Sequence, residues 1–313
     1  MVLDRYFLPT LTLGTALFCC ALAALGMYAT RTWGIHHDAP LMLYVGQRMA
    51  DGDVPYRDMF DMNFPGAHLL GWAVMSWFGY SDLAWRLVDL AALVGIAACV
   101  FCLVRPAGIA PGLTAAASTV FVHLAGGPFG VGQRDFLMIL PVLLAFVGLL
   151  AVDGVAGAAL RRLVLAGAGV LLLCAASLKP TAVLLTPLAA AWVLFRPRLS
   201  PASVGDAAAL LGGAVLTLAL FLGWLQALGN LADFVDLQRH FVIPTYGALR
   251  MVLSSYLGTL LVLPALAGIP FVLSSRHRAR YGLTLSLVAF GILHLHLQGK
   301  YWPYHAAPLQ VFA

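Results

Sequence analysis

Apolar residues fall in long unbroken runs, not in alternation. The runs cover 7–30, 82–104, 111–125, 135–152, 163–178, 180–195, 207–228, 251–273 and 281–297. About 20 such residues cross a bilayer as a helix. The longer runs therefore predict membrane spans, and the chain as a whole predicts an all-α, polytopic membrane protein. Lys179 alone separates 163–178 from 180–195. Pro180 and Pro187 interrupt that region and predict helices that bend inside the protein. A tenth run, 64–79, would be ~24 Å long as a helix, which is short for a span. Trp72, Trp77 and Phe78 favour the interface, so the run is read as a helix lying along the membrane surface. Asn63 is its expected cap and Pro65 its first-turn residue. Ala39–Ala50 has the pattern of a short amphipathic helix.

Composition agrees with this pattern. Of 313 residues, 62% are hydrophobic and 10% charged, against about 25% charged in soluble domains. Every acidic residue is an aspartate. The net charge of +5 comes without a basic run, so nucleic acid is not an expected partner. The five cysteines lie inside apolar runs and read as small core residues, Cys99 and Cys102 included. The first run is too long for a signal-peptide core and is taken as a retained span.

Loop charge orients the chain. With 64–79 not crossing, Arg5, Arg105, Arg161, Arg162, Arg196, Arg198, Arg276, Arg278 and Arg280 share one side in short segments. The positive-inside rule makes that side cytoplasmic. The N-terminus is then inside, and the loops outside are 31–81, 126–134, the turn at Lys179, 229–250 and 298–305. Residues 1–313 read as one transmembrane domain. Its last residues, Val311-Phe312-Ala313, lie within another apolar segment, as at the edge of a fragment.

The outer loops hold the chemistry. The first carries His36-His37-Asp38, then Asp51, Asp53, Asp58, Asp61 and Asn63; later loops carry Gln133-Arg134-Asp135, Lys179 and Lys300…His305. Each has a structural reading as well. Asp38 and Asp135 suit helix caps, Asp51 and Asp53 a solvated turn, and Arg134 and Asp135 a mutual pair. Arg86 and Asp89 suit a local helix pair, and His123, His294 and His296 core positions. Lys179, flanked by apolar runs, is costly unless paired or hydrated and is a functional candidate by default. Taken together, cations at Arg134, Lys179 and Lys300 can neutralise a lipid phosphate. A carboxylate at Asp38 can deprotonate an acceptor hydroxyl. That chemistry is glycosyl transfer from a polyprenyl-phosphate sugar at the membrane face.

The order of these segments carries a resemblance. An Asp follows the first helix, then come PYRDMFDMNFPG (55–66), GQRD (132–135), Lys179-Pro180 and QGKYWPYH (298–305). This resembles membrane glycosyltransferases of the GT-C fold, in the broad protein-mannosyltransferase and aminoarabinose-transferase superfamily, from about residue 8 onward. The resemblance implies a GT-C-like helical bundle in a bacterial inner membrane, with an extracytoplasmic site and inversion at the anomeric carbon. It implies Asp38 as catalytic base and Asp135 as a second acid. Lys179 matches a carrier-phosphate contact, and Lys300 and His305 a further motif. Asp61 and Asn63 are expected to orient sugar or acceptor hydroxyls. Relatives often carry Lys where this chain has Asn63, which hydrogen-bonds but cannot neutralise charge.

The acceptor is a glycan, lipid or protein. No cofactor is expected; no His/Cys cluster has zinc spacing, and Mg²⁺ or Mn²⁺ on the outer aspartates is the lesser alternative. The rival readings are a transporter or lipid flippase of the envelope, and a structural subunit of an assembly complex.

Overall fold

The computed structural model describes residues 3–195, 200–251 and 278–313. The rest of the predicted run 251–273, with Arg196, Arg198 and Arg276, lies outside them. Among the described residues the fold is all-helical, without strands. The helices are α1 (Leu3–Ala29), α2 (Asp38–Ala50), α3 (Pro65–Phe78), α4 (Asp82–Val104), α5 (Ile109–Ala125), α6 (Arg134–Leu137), α7 (Ile139–Ala151), α8 (Ala158–Leu178), α9 (Leu185–Phe195), α10 (Pro201–Ala227), α11 (Leu231–Leu237), α12 (Arg278–Gln298) and α13 (Ala307–Phe312). A π-helical stretch, Gln238–Tyr246, continues α11. Six segments among the described residues are long and apolar enough to cross a membrane: in α1, α4, α6–α7, α8, α10 and α12. This is the architecture of a polytopic membrane protein.

Local chemistry sets most boundaries. Ser81 caps α4 by accepting the Ala84 N–H at 3.1 Å. Ser200 and Ser203 form a capping box ahead of α10, with Pro201 at the first position, so that helix starts six residues before its apolar run. α8 likewise starts at Ala158 and includes Arg161 and Arg162, which both approach Asp206 of α10. α8 ends where Pro180 forces Lys179 out of helical geometry, at φ −141° and ψ 111°. A 3-10 turn over Pro180–Leu184 then leads into α9.

Two expected caps are corrected. Phe64, not Asn63, holds the cap position of α3; the Asn63 N–H is instead tied to Asp61 Oδ1 at 2.9 Å. Asp38 is the first residue of α2, behind His37, and makes no capping bond.

The core lies between α4, α7 and α8, where Leu93, Ile96, Ile139, Phe146, Leu165 and Leu172 are fully buried. Outward faces are apolar as well: Val215 and Leu220 of α10 are 64% and 65% exposed. Such a surface fits lipid, not water. α8 and α10 touch through glycine. A Cβ at Gly169 would sit 1.9 Å from the Leu210 carbonyl oxygen, and one at Gly213 2.0 Å from that of Ala166. Close approach through small residues is how spans gain packing in lipid.

α2 and α3 cross the same way, with Gly71 against the Met42 carbonyl and Gly46 against Gly71. The pair lies over one end of the bundle. Gly66 of α3 abuts Ser177 in the last turn of α8, and the strand of loop before α2 bonds to Asp82 at the start of α4.

Candidate active site

The chain crosses back and forth, so the ends of α1, α5, α8, α10 and α12 and the starts of α2, α4 and α6 gather at one end of the bundle. Asp38 is there. Its Oδ2 accepts from Arg134 Nη2 at 3.0 Å and from the Tyr304 hydroxyl at 3.3 Å. Its Oδ1 lies 2.9 Å from His37 Nδ1. Burial pushes the Asp38 pKa up, but the charge and hydrogen bond of Arg134 outweigh it and hold the group below the usual carboxylate value. The side chain is 26% exposed, which leaves it reachable.

His37 stands at φ 59° and ψ −117°. The Ala39 N–H bonds back to the His36 carbonyl at 3.3 Å, so His37 occupies the first central position of a type II′ turn. That position has φ > 0 and favours glycine; histidine there is strained by roughly 1–3 kcal/mol. Rings surround it. Trp302, Tyr304 and Phe129 have centroids 5.2, 5.1 and 6.4 Å from the imidazole.

Behind Asp38 lies a buried second cluster. Asp135 does not cap α6; Gln133 holds the cap position. Nor do Arg134 and Asp135 pair with each other. Consecutive helical residues point apart, and Asp135 turns inward. Lys179 Nζ lies 2.9 Å from its Oδ2, while His294 Nε2 and Gln298 Nε2 reach Oδ1 at 2.9 and 2.8 Å. His294 Nδ1 is satisfied by Thr181 at 2.7 Å. Burial pulls the Lys179 pKa down against the opposing pull of Asp135. His305 is also buried, with no hydrogen-bond partner for Nδ1. Burial drives its pKa down to about 3, so it meets any ligand as a neutral imidazole.

The remaining predicted residues stand further out. Lys300 does not join Arg134 and Lys179. Its Nζ lies 3.8 Å over the Tyr246 ring and donates to the Tyr246 carbonyl at 3.0 Å. Burial first, then the charge of Asp38, raises the Tyr246 pKa. Lys300 thus backs a phenol that faces the Asp38 centre. Asp61 and Asn63 are buried in a separate knot. His68 Nε2 is 3.3 Å from Asp61 Oδ2, and the Tyr56 hydroxyl donates to the Asn63 carbonyl at 2.7 Å. Burial raises the Asp61 pKa, and His68 more than offsets it to leave it lowered. The charge of Arg134 reaches this knot as a smaller contribution.

Arg134 is held from behind. Asp89 accepts the Gly132 N–H at 2.7 Å and contacts Arg86 and His123. A Cβ at Gly132 (φ 61°) would collide with Trp85 Nε1 at 2.0 Å, so glycine is required next to Gln133-Arg134. Gln133 Nε2 then donates to the His36 carbonyl at 3.0 Å, which ties the loop before α6 to the one before α2. Sequence reasoning missed Tyr304, Tyr246 and His37. Tyr304 lay in plain sight within the 298–305 segment, and His37 beside Asp38.

An apolar cavity of about 200 Å³ opens on both sides of Lys179 in sequence, lined by Pro65, Leu173, Ser177, Pro180, Leu222 and Leu225 among others. Among the described residues no group of three His, Cys or acidic side chains is placed to hold a metal ion. No family model matches the chain, and no curated protein does.

Proposed function

We propose that this protein is a membrane glycosyltransferase of GT-C type that moves a sugar from a polyprenyl-phosphate donor to an acceptor hydroxyl. The observation that carries the reading is the Asp38 centre. A reachable carboxylate sits against Arg134, one residue from the buried Asp135–Lys179 pair, at the end of a bundle of apolar helices. Asp38 is the carboxylate around which the step is built in which the acceptor hydroxyl loses its proton. Arg134 offers a guanidinium fork to the donor phosphate, and Lys179 adds charge from behind. That charge offsets the negative charge that develops on the phosphate as the glycosidic bond breaks. The apolar cavity lined by Ser177 and Pro180, which flank Lys179 in sequence, suits the first isoprene units of the carrier. Asp61, Asn63 and His305 line the surroundings as positioning groups, and Lys300 acts through Tyr246.

On this reading the site faces the extracytoplasmic side of a bacterial inner membrane, and the acceptor is a glycan, lipid or protein. The test is direct. Purified protein is screened against labelled polyprenyl-phosphate sugars for transfer or hydrolysis, beside Asp38→Asn. Transfer lost in Asp38→Asn, with the same amount of folded protein, is expected. Full activity in that variant removes Asp38 from the mechanism.

A second reading, a transporter or lipid flippase, draws on the buried Asp135–Lys179–His294 set, since ionisable groups at span ends also line transport paths. Cysteines at 36–66 that label alternately from both sides of the membrane would favour it.

A further inference from the structure

We propose that His37 is the group that takes the proton from the acceptor hydroxyl, with Asp38 as the carboxylate that orients it. This rests on the glycosyl-transfer reading above and assigns the atoms within it. Both oxygens of Asp38 already have partners: Oδ2 has Arg134 and Tyr304, and Oδ1 has His37. A carboxylate facing Nδ1 fixes the tautomer, because only a protonated Nδ1 meets a negative oxygen favourably. The Tyr304 hydroxyl, 3.3 Å from the same nitrogen, then gives its proton to Asp38 Oδ2. Nε2 is left unprotonated, and among the described residues nothing bonds to it. The imidazole is 29% exposed. This is the arrangement in which a hydrogen-bonded carboxylate holds a histidine as base.

The backbone supports the assignment. The turn before α2 demands glycine geometry at position 37 and carries histidine instead. A strained residue persists where its side chain has work to do. The surroundings are also those of a sugar site. Phe129 and Trp302, 56% and 38% exposed, flank the imidazole with apolar ring faces. The titratable and charged groups facing His37 are Asp38 from α2, Tyr304 from the C-terminal turn, and Arg134 of α6 across Asp38. The loop before α6 offers it only the Phe129 ring. Asp38 alone is a poor base, because Arg134 keeps it below the usual carboxylate range.

The step balances as follows. The acceptor O–H bond breaks, and its proton passes to His37 Nε2. The freed electron pair forms the bond to the anomeric carbon. The bond from that carbon to the phosphate oxygen breaks and leaves its pair on the phosphate. Asp38 Oδ1 offsets the imidazolium charge until the proton leaves to water.

Three variants of the full chain test this: His37→Asn, His37→Gly and Asp38→Asn. Transfer from radiolabelled undecaprenyl-phosphate mannose, or the sugar phosphate the screen returns, is followed as kcat/KM against pH. The wild-type profile should have a limb that rises with pH. His37→Asn should lose about 100-fold or more and lose that rise. His37→Gly relaxes the turn, so it should unfold at the same or a higher temperature than wild type and be equally inactive; a purely structural histidine would instead leave it active. His37→Asn within about threefold of wild type, with the same pH limb, overturns the role of His37 and leaves the wider reading intact. An active Asp38→Asn, or wild-type protein that turns over no polyprenyl-phosphate sugar, overturns the reading beneath it, and this role with it.

Discussion

At the scale of single residues, the site is a set of charges that stabilise each other only in company. Lys179 and Asp135 are both nearly sealed from solvent. Removing one partner of a buried pair costs roughly 3–5 kcal/mol, since the other charge is left behind, whereas removing both costs far less. Lys179→Ala should therefore lower both the unfolding temperature and the apparent affinity for the lipid donor. Lys179→Ala combined with Asp135→Ala should regain most of the stability but not the donor affinity. Affinity that returns together with stability would reject the phosphate role for Lys179. His305 gives a pH signature. Its folded pKa of about 3 lies below the unfolded value near 6.5. Between those limits the unfolded chain binds the extra proton, so stability is full above ~6.5 and falls as pH drops toward 3, by at most ~1.4 kcal/mol per pH unit. Thermal unfolding of His305→Gln across that window should show a flatter dependence. An unchanged slope would mean that His305 is not buried as neutral imidazole.

At the scale of elements, the helices were largely legible, and the contacts between them were not. The run 82–104 coincides with α4, because Ser81 caps one end and Pro106 marks the other. The region around Gln238–Tyr246 gave no warning of its π-helical form; it is polar and carries Pro244, so no period stood out. The candidate residues were found from their types and their place at the ends of runs. Their pairing was hidden, because Asp135 meets Lys179 and His294 from distant parts of the chain. Sequence adjacency points to Asp135 as a cap with Arg134 as its partner, because nothing in the sequence brings Lys179 or His294 near it. The α2–α3 crossing is the most exposed weakness of the site's support. A methyl group at Gly71 would lie 2.2 Å from the Met42 carbonyl oxygen. Gly71→Ala should force α2 and α3 apart, at about 1–3 kcal/mol, and displace Asp38 with α2. Loss of thermal stability and of transfer should appear together in that variant. A normal melting temperature would show that the crossing yields more easily than its spacing implies.

At the scale of the whole molecule, the six apolar segments order the rest. The loop holding α2 and α3 and the turn between α7 and α8 fall at opposite ends of the bundle. In a chain whose native cysteines are replaced, cysteines at Asp51 and Ala156 should react with an impermeant maleimide from opposite faces of sealed vesicles. Reaction of both from one face would overturn the arrangement of the spans. The Arg86–Asp89 pair bears on how that arrangement is reached. Both side chains are fully buried on α4, one turn apart, and touch each other before any other segment is needed. The spacing lets the two charges offset each other within α4 itself, which lowers the cost of placing that helix in lipid. Arg86 also reaches Thr30 at the end of α1, and Asp89 reaches His123 of α5 and Gly132 in the loop before α6. Replacing either residue alone therefore leaves an uncancelled charge inside a span, which raises the cost of placing α4 in lipid.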